Sequence, residues 1–305
     1  MLGIILLNFS TIHNPALSAI IADSIPPDQR GVGYTLTSAL PRVASIFAPI
    51  IVGLLVAKYG LVAGMRVAYI IVTVLYLIGA LIRARYLEET LEKAEPTESF
   101  KILSSLKESF TSIPDVWRSM PKNFKPYMAA EIITAFSGPL FYPLLALYAV
   151  DVIGVTSIQW GFLGSIGIAV GLIASYPLGR LVDKIPRKTS IIIAWALWLP
   201  TAVLLFVSRN FVFLVLFFVL KALSEALFVP ALQGMSADLI PRESRGRIGS
   251  VQRTLGNILG TVSYAVGGFL YQSNPAYPFM ISLFLDVLSL LLVVFLLKEP
   301  ERREI

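Results

Sequence analysis

Residues 179–188 read Gly-Arg-Leu-Val-Asp-Lys-Ile-Pro-Arg-Lys, and this charged stretch separates two long apolar blocks. Each block has about the 20 residues that a helix needs to cross the hydrocarbon of a bilayer. Nine such blocks follow one another along the chain: 2–22, 33–57, 62–82, 127–150, 158–180, 189–208, 211–233, 247–272 and 275–297. The pattern predicts an all-α membrane protein with nine transmembrane helices, in which residues 179–188 form a loop between two spans.

The composition of the chain favours the same class. Of its 305 residues 56% are hydrophobic and only 14% are charged, whereas soluble domains average about 25% charged residues. With no cysteine and one histidine, we expect no metal site. We find no catalytic arrangement of side chains and no cofactor-binding loop, so an enzyme is not expected. The basic residues lie beside the spans, so they do not indicate a nucleic-acid-binding protein. The expected partner is the lipid bilayer, and no obligate protein partner is evident.

The positions of the basic residues also predict the orientation of the chain. Most of the 25 Lys and Arg residues lie in loops on the same side of the spans as the C-terminus. Because basic loops stay preferentially in the cytoplasm, we expect a multi-pass protein of the cell membrane with a cytoplasmic C-terminus.

An internal repeat relates two parts of the chain. Residues 15–55 match residues 230–270 at a constant offset without a gap, so that Arg30-Gly31 recurs as Arg245-Gly246. The second copy covers the fourth and fifth of six predicted helices, whereas the first copy covers the first and second of three. Parallel six-helix repeats are a known transporter plan. The repeat therefore predicts that three helices of the first half are missing.

This plan divides the chain into three predicted segments. Residues 1–82 form what remains of the N-terminal half, with three transmembrane helices, and residues 127–305 form the six-helix C-terminal half. Residues 83–126 form a cytoplasmic loop between the halves. Apolar residues at helical spacing in that loop predict an amphipathic helix on the membrane surface.

The two-part plan and residues 179–188 together resemble the major facilitator superfamily. The loop signature of that family is Gly-x-Leu-x-Asp-Arg/Lys-x-Gly-Arg-Arg/Lys, and only Pro186 departs from it. The resemblance implies a helical bundle of two pseudo-symmetric halves, of which this chain would hold helices 4–12. The fifth-helix pattern of proton-driven exporters, Gly-Pro-x-x-Gly-Gly, is matched only in part by Ala48-Pro49-Ile50-Ile51-Val52-Gly53.

The charged loop predicts a conformational latch. Asp183 follows the end of one span, and a helix N-terminus attracts a carboxylate because its N–H groups are free. We expect Asp183 to cap the helix that begins near Gly31 in one conformation and to release it in the other. The alternative is a solvated loop that only sets the topology. The residues assigned to the latch are Gly179, Arg180, Asp183, Arg187, Asp23, Arg30, Gly31, Asp238, Arg245 and Gly246.

Polar residues deep inside the spans predict the substrate path, because each is costly in hydrocarbon. Lys221 and Glu225 form an i,i+4 pair in the seventh span. Arg42 needs an acidic partner, for which Glu225, Glu131 or a residue on the missing helices are candidates. Glu131 is expected about one turn inside its span, where it could reach the headgroups. Asp286 is deep, but its helix is expected to be peripheral. The residues assigned to the cavity or to coupling are Thr11, Asn14, Arg42, Glu131, Tyr142, Lys221 and Glu225.

These features predict a secondary active transporter that moves a small solute by alternating access. Burial favours the protonated form of Glu225 and Lys221 favours its charged form, so Glu225 is either a proton-coupling carboxylate or half of a structural ion pair. Few charges are available to hold a strongly polar solute, which favours proton-coupled export of hydrophobic or drug-like compounds. Two alternatives stay open: uptake of a sugar or another small metabolite, and a nine-helix protein that does not transport.

Overall fold

The computed structural model describes residues 37, 40–86, 117, 118, 120–240 and 244–300. Seven stretches of these residues are helical, long and apolar enough to cross a membrane, which confirms the predicted all-α membrane class. The first predicted span, 2–22, lies outside the described residues. The predicted span 247–272 is helical, but it is not among these seven stretches, so the number nine stays a prediction. The main helices are α1 (Ala48–Tyr59), α2 (Leu61–Tyr86), α3 (Phe124–Phe141), α4 (Ser157–Lys184), α5 (Arg187–Val207), α6 (Phe211–Leu239), α7 (Arg245–Ser273) and α8 (Tyr277–Leu296).

The helix boundaries follow from local sequence. The Thr156 hydroxyl accepts a hydrogen bond from the Gln159 N–H at 3.2 Å and the Gln159 side chain accepts from the Thr156 N–H, so a capping box begins α4. The Asn210 side chain accepts from the Phe213 N–H and begins α6. Between α1 and α2, Gly60 adopts a φ of 78°, which glycine tolerates because it has no Cβ.

The span that begins with α3 loses regular α geometry near its middle. Pro139 is accommodated inside α3, but α3 ends at Phe141 and a 3₁₀ turn follows at Tyr142–Leu144. Pro143 lies in that turn and has no N–H to donate. A short α turn at Leu145–Tyr148 and a π turn at Ala149–Ile153 complete the span. The bend places the Tyr142 side chain beside the cavities described below.

Helices α3–α8 pack around a core with aromatic side chains at its centre. Helix α5 packs between α6 and α8, α3 packs on α7 and α8, and α4 packs on α6. The Phe141 ring lies 5.1 Å from the Phe279 ring and 5.2 Å from the Trp198 ring, both edge to face. Such contacts between rings add to the stability that burial provides.

The pair α1 and α2 joins this bundle through one close helix contact. A Cβ on Gly53 would lie 2.6 Å from the carbonyl oxygen of Ser157, and a Cβ on Gly161 would lie 2.5 Å from that of Pro49. The Ser165 hydroxyl donates to the carbonyl oxygen of Ile46. Small residues allow two membrane helices to approach backbone to backbone, and here they fix α1 against α4.

Candidate functional site

The middle of α6 borders three adjoining cavities. The large cavity, about 750 Å³, lies between α3, α6 and α7. The side cavity, about 510 Å³, lies between α4, α6 and Arg42. The inner cavity, about 60 Å³, lies deeper, between α3, α5, α6 and α8. Glu225 lines both the inner and the side cavity, whereas Phe228 lines the inner and the large cavity. Changes at this part of α6 therefore affect all three spaces.

Lys221, Glu225 and Tyr142, here named the Glu225 cluster, form a compact polar group near the midpoint of α6. The Lys221 ammonium donates to Glu225 Oε1 at 2.7 Å, and the Tyr142 hydroxyl donates to the same oxygen at 3.1 Å. The ammonium also lies 5.0 Å from the centre of the Tyr142 ring, a favourable cation–π distance. The Glu225 side chain is 43% exposed, so a proton or a solute in the cavities reaches it.

Arg42 shares the side cavity with Lys221 and Glu225. The sequence suggested Glu225 or Glu131 as its acidic partner. Within the described part of the chain, however, no carboxylate forms an ion pair with Arg42 at 4.0 Å or less. Glu225 is instead paired with Lys221, its neighbour one turn away on α6. Arg42 is thus a second cation on the cavity wall, close to a carboxylate that already has a partner.

Glu131, which the sequence assigned to the cavity or to coupling, lines the large cavity. Because α3 begins at Phe124, Glu131 is about two turns inside the helix rather than one. The Tyr127 hydroxyl donates to Glu131 Oε1 at 3.0 Å, and the Gln252 amide donates to Glu131 Oε2. These two neutral donors orient the carboxylate between α3 and α7. The aromatic side chains of Trp195 and Phe228 line the same cavity.

A second charged group occupies the end of the bundle where α5 and α7 begin, here named the basic end. The Arg187 guanidinium donates from Nη1 to Asp183 Oδ1 at 3.2 Å and from Nε to Asp238 Oδ2 at 3.4 Å. It also donates to the carbonyl oxygen of Val182. A Cβ on Gly234 would lie 2.7 Å from Arg187 Nε, so the glycine leaves the space that the guanidinium fills.

Glu299, which the sequence analysis did not single out, completes this group. Its two carboxylate oxygens accept the N–H groups of Arg187 at 2.7 Å and of Lys188 at 2.8 Å. These are the first free N–H groups of α5, so a carboxylate does cap a helix at the basic end, but it comes from the segment after α8. Asp183, Arg187, Asp238 and Glu299 are here named the Arg187 cluster. No local pattern predicts a cap supplied from 112 residues away.

The structure locates the remaining latch residues separately. Arg245 donates to the carbonyl oxygens of Ala237 and Ile240 and so ties the end of α6 to the start of α7. Arg180 lies on the Tyr176 ring, 4.6 Å from its centre. Among the described residues, no atom beyond the helix's own backbone and the chain neighbours lies within 4 Å of a Cβ built on Gly179 or Gly246. Five predicted site residues lie outside the described residues: Thr11, Asn14, Asp23, Arg30 and Gly31.

The sequence matches a known protein family over its whole length. The family model described as Major Facilitator Superfamily matches residues 1–174 and 127–305. Quinolone resistance protein NorA of Staphylococcus aureus (strain Mu50 / ATCC 700699) is 25% identical over 163 residues, which are 53% of this chain and 42% of NorA. The uncharacterized MFS-type transporter YdeE of Escherichia coli (strain K12) is 21% identical over 184 residues, which are 60% of this chain and 47% of YdeE. Each match thus spans less than half of the relative.

Solved structures with the same fold are also found. A bacterial metal transporter has a TM-score of 0.67 and 14% identity, over 89% of this chain and 67% of that protein. A bacterial homologue of the iron transporter ferroportin, in an inward-facing state, has a TM-score of 0.67 and 16% identity, over 90% and 65%. A bacterial homologue of the human lysosomal transporter Spinster, inward-facing and occupied, has a TM-score of 0.62 and 16% identity, over 92% and 72%.

Proposed function

Because the chain belongs to the Major Facilitator Superfamily, we propose that it is a secondary active transporter of the cell membrane that exports hydrophobic or drug-like compounds in exchange for protons. The Glu225 cluster supports this proposal, since it has a hydrogen-bonded carboxylate near the midpoint of α6, on the wall of the cavities. An ionisable residue in a membrane interior that faces a cavity is typical of an ion or proton path.

The large cavity supports a drug-sized ligand. Its volume of about 750 Å³ falls within the range of small-molecule sites, which are mostly apolar with a few placed polar groups. Trp195 and Phe228 offer flat apolar surfaces, and Glu131 offers one negative charge that no cation within the described residues neutralises at 4.0 Å or less. We infer that hydrophobic compounds bind here. The name of NorA, a quinolone resistance protein, agrees with this class.

Glu225 is proposed to couple the proton to the solute. In the state described, one oxygen of the Glu225 carboxylate accepts hydrogen bonds from both Lys221 and Tyr142. A proton on Glu225 removes the attraction to Lys221, which then turns toward the side cavity. Arg42 on that wall repels the released ammonium, so protonation changes the charge pattern that a bound solute meets.

The Arg187 cluster is proposed to be the fixed part of a latch at the basic end. The Asp183 side chain is 73% exposed, and the start of the helix near Gly31 is its sequence-based partner in the latch. Arg187 holds Asp183 against α6 through Asp238. In this proposal, the basic end opens when Asp183 leaves that helix while the contact between Arg187 and Asp238 remains.

Transport by the purified full chain in lipid vesicles tests the proposed function. A fluorescent quinolone is supplied outside the vesicles, and its accumulation is followed with and without an imposed pH gradient. We expect the gradient to increase accumulation in wild-type vesicles, and Glu225→Gln to keep solute exchange but to lose the response to the gradient. Asp151→Asn is the matched control, since Asp151 is exposed and lines none of the three cavities.

Two results would contradict the proposal in different ways. If wild-type vesicles exchange the quinolone no faster than vesicles without protein, this compound class is wrong. If Glu225→Gln keeps the full response to the pH gradient, transport stands but the coupling residue lies elsewhere.

A further inference from the structure

Asp286 lies at the midpoint of α8 in a hydrogen-bond network that the proposed function does not use. The Ser137 hydroxyl of α3 donates to Asp286 Oδ1 at 2.7 Å, and the Trp198 indole of α5 donates to Asp286 Oδ2 at 2.7 Å. The Ser282 hydroxyl lies 2.8 Å from that of Ser137. Asp286 is 5% exposed and Ser137 is 1% exposed. The sequence placed Asp286 on a peripheral helix, but its side chain points into the bundle.

The surroundings of Asp286 contain no compensating cation. Among the described residues, no Lys, Arg or His nitrogen lies within 4.0 Å of its carboxylate. Ser137 and Trp198 are neutral donors. A carboxylate buried in a membrane is costly without a cation, and two neutral hydrogen bonds offset only part of that cost. A carboxylate placed in this way is suited to take up a proton. Its hydrogen bonds hold the side chain in the same position in both the charged and the protonated form.

The inner cavity connects Asp286 with the Glu225 cluster. Its walls include Asp286, Ser137 and Ser282 on one side and Glu225, Ser224 and Tyr142 on the other. Its volume of about 60 Å³ exceeds the roughly 10–15 Å³ that one water molecule needs. The walls also supply the polar partners that buried water requires. The inner cavity therefore has room for water between the two carboxylates.

We propose that Asp286 is a second proton-carrying residue, which exchanges a proton with Glu225 through the water of the inner cavity. The protonated Glu225 carboxyl gives its proton to a cavity water, and the Asp286 carboxylate accepts a proton from the same water chain. The Ser137 hydroxyl, which lies 3.2 Å from the carbonyl oxygen of Ser282, then turns from Asp286 to that carbonyl. This inference rests on the proposed proton coupling at Glu225.

Few other charges influence this exchange. Of the described residues that line the inner cavity, only Tyr142, Glu225 and Asp286 titrate. Lys221 acts through its pair with Glu225. Helix α5 contributes the Trp198 indole to the network, and α7 contributes no side chain to this cavity. Glu225 is therefore the other carboxylate on this cavity with which Asp286 can exchange a proton.

Asp286→Asn tests the proposal without removing the network. An amide at this position accepts from Trp198 through its oxygen and donates to Ser137 through its nitrogen, which is the pattern of a protonated carboxyl. The fold is therefore expected to survive. Ser289→Ala is the matched control, since Ser289 is buried on the same helix, contacts the carbonyl oxygen of Ala130 and lines none of the three cavities.

Infrared difference spectra of the reconstituted protein, recorded while the pH is changed, detect protonated carboxyl groups directly. We expect a carboxyl band that Asp286→Asn removes, that Ser289→Ala leaves unchanged and that Glu225→Gln shifts to a different titration midpoint. The proposal would be overturned if the spectra of wild type and Asp286→Asn showed the same pH-dependent carboxyl band, or if neither showed one. It would also be overturned if Glu225→Gln left the titration midpoint of that band unchanged.

The ratio of protons to solute gives the second readout. A pH dye inside vesicles and the fluorescent quinolone outside measure both fluxes at once, and Asp286→Asn is expected to lower the ratio by about one proton per solute. A residue with only a structural role lowers both fluxes and leaves their ratio unchanged, which would overturn the proposal. If wild type moves no quinolone, the proposed function fails for that compound, while the infrared result still decides whether Asp286 exchanges its proton with Glu225.

Discussion

The Arg187 cluster and the Glu225 cluster are both built around an i,i+4 ion pair, yet they differ in what surrounds the pair. Arg187 contacts Asp183 one turn before it, but it also contacts Asp238 at the end of α6, and its N–H is capped by Glu299. Lys221 and Glu225 lie on a single helix and have one partner from another element, Tyr142. The first cluster joins four parts of the chain, namely α4, α5, α6 and the segment after α8, whereas the second joins two.

We infer from this difference that the Arg187 cluster stabilises the fold, whereas the Glu225 cluster takes part in proton coupling. The Asp238 side chain is 2% exposed and the Arg187 side chain 14% exposed, and a buried pair is strongly destabilised when one partner is removed. The Glu225 side chain is 43% exposed and borders two cavities, so its protonation changes few packing contacts. We therefore expect substitutions in the Arg187 cluster to change stability and those in the Glu225 cluster to change coupling.

The largest expected effect on stability is that of Arg187→Ala. It leaves the buried carboxylate of Asp238 without the guanidinium, and we expect a loss of about 3 kcal/mol in the free energy of unfolding. Lys221→Met, the matched substitution in the Glu225 cluster, is expected to cost less than about 1 kcal/mol. Unfolding in detergent, followed by the fluorescence of the buried Trp195 and Trp198, measures both. Equal losses would show that the two clusters do not differ in this way.

Gly234→Ala tests whether the position of the guanidinium matters. The added Cβ would lie 2.7 Å from Arg187 Nε, so the side chain has to move away from Asp238. We expect a loss of about 1–2 kcal/mol, as in other overpacked sites. Gly246→Ala is the control, because no other described residue beyond its own helix and its chain neighbours lies within 4 Å of its Cβ and alanine favours a helix. Unfolding midpoints of the two variants are compared, and a stable Gly234→Ala would contradict the geometry.

Glu299→Gln weakens the cap on α5, and we expect it to destabilise the protein less than Arg187→Ala does. The side chain keeps its size but loses the charge that accepts the N–H groups of Arg187 and Lys188. We expect a loss of about 1 kcal/mol, typical of a helix cap and of a charge at a helix N-terminus. Lys298→Ala serves as control, since Lys298 contacts Asn123 only through its main chain. If Lys298→Ala has the larger effect on the unfolding midpoint, the cap is not what stabilises this end.

The smallest change in stability is expected when Lys221 and Glu225 exchange places. The double substitution Lys221→Glu with Glu225→Lys keeps an i,i+4 pair, so the unfolding midpoint should move by less than about 0.5 kcal/mol. The carboxylate, however, leaves the position that borders the inner cavity. We expect pH-driven quinolone accumulation to be lost. Full accumulation in the exchanged variant would mean that the pair has only a structural role.

Much of the fold is predictable from the sequence. The predicted spans at 158–180, 189–208 and 211–233 correspond to α4, α5 and α6, because apolar length sets where a helix crosses a membrane. The repeat and the loop at 179–188 led to the family that the comparison confirms. The bend at Pro143 was also foreseeable, since proline cannot donate the hydrogen bond that a regular helix requires.

The candidate site was predictable only in part. Lys221 and Glu225 pair as their spacing predicts, since i,i+4 neighbours on a helix meet. The hydrogen-bond partners of Glu131 and Asp286 were not predictable, because Gln252 and Ser137 lie 121 and 149 residues away from them. Neither partner has a pattern that separates it from any other polar residue in a span.

The sequence by itself determined the membrane class, the span boundaries and the local ion pair, because all three depend on residues that are close along the chain. The tertiary structure alone decided that Glu299 caps α5, that Asp286 points inward and that a cavity joins it to Glu225. Those contacts depend on the rotation and packing of separate helices. In a membrane, where every helix is apolar over most of its surface, the pattern of apolar residues does not specify that rotation.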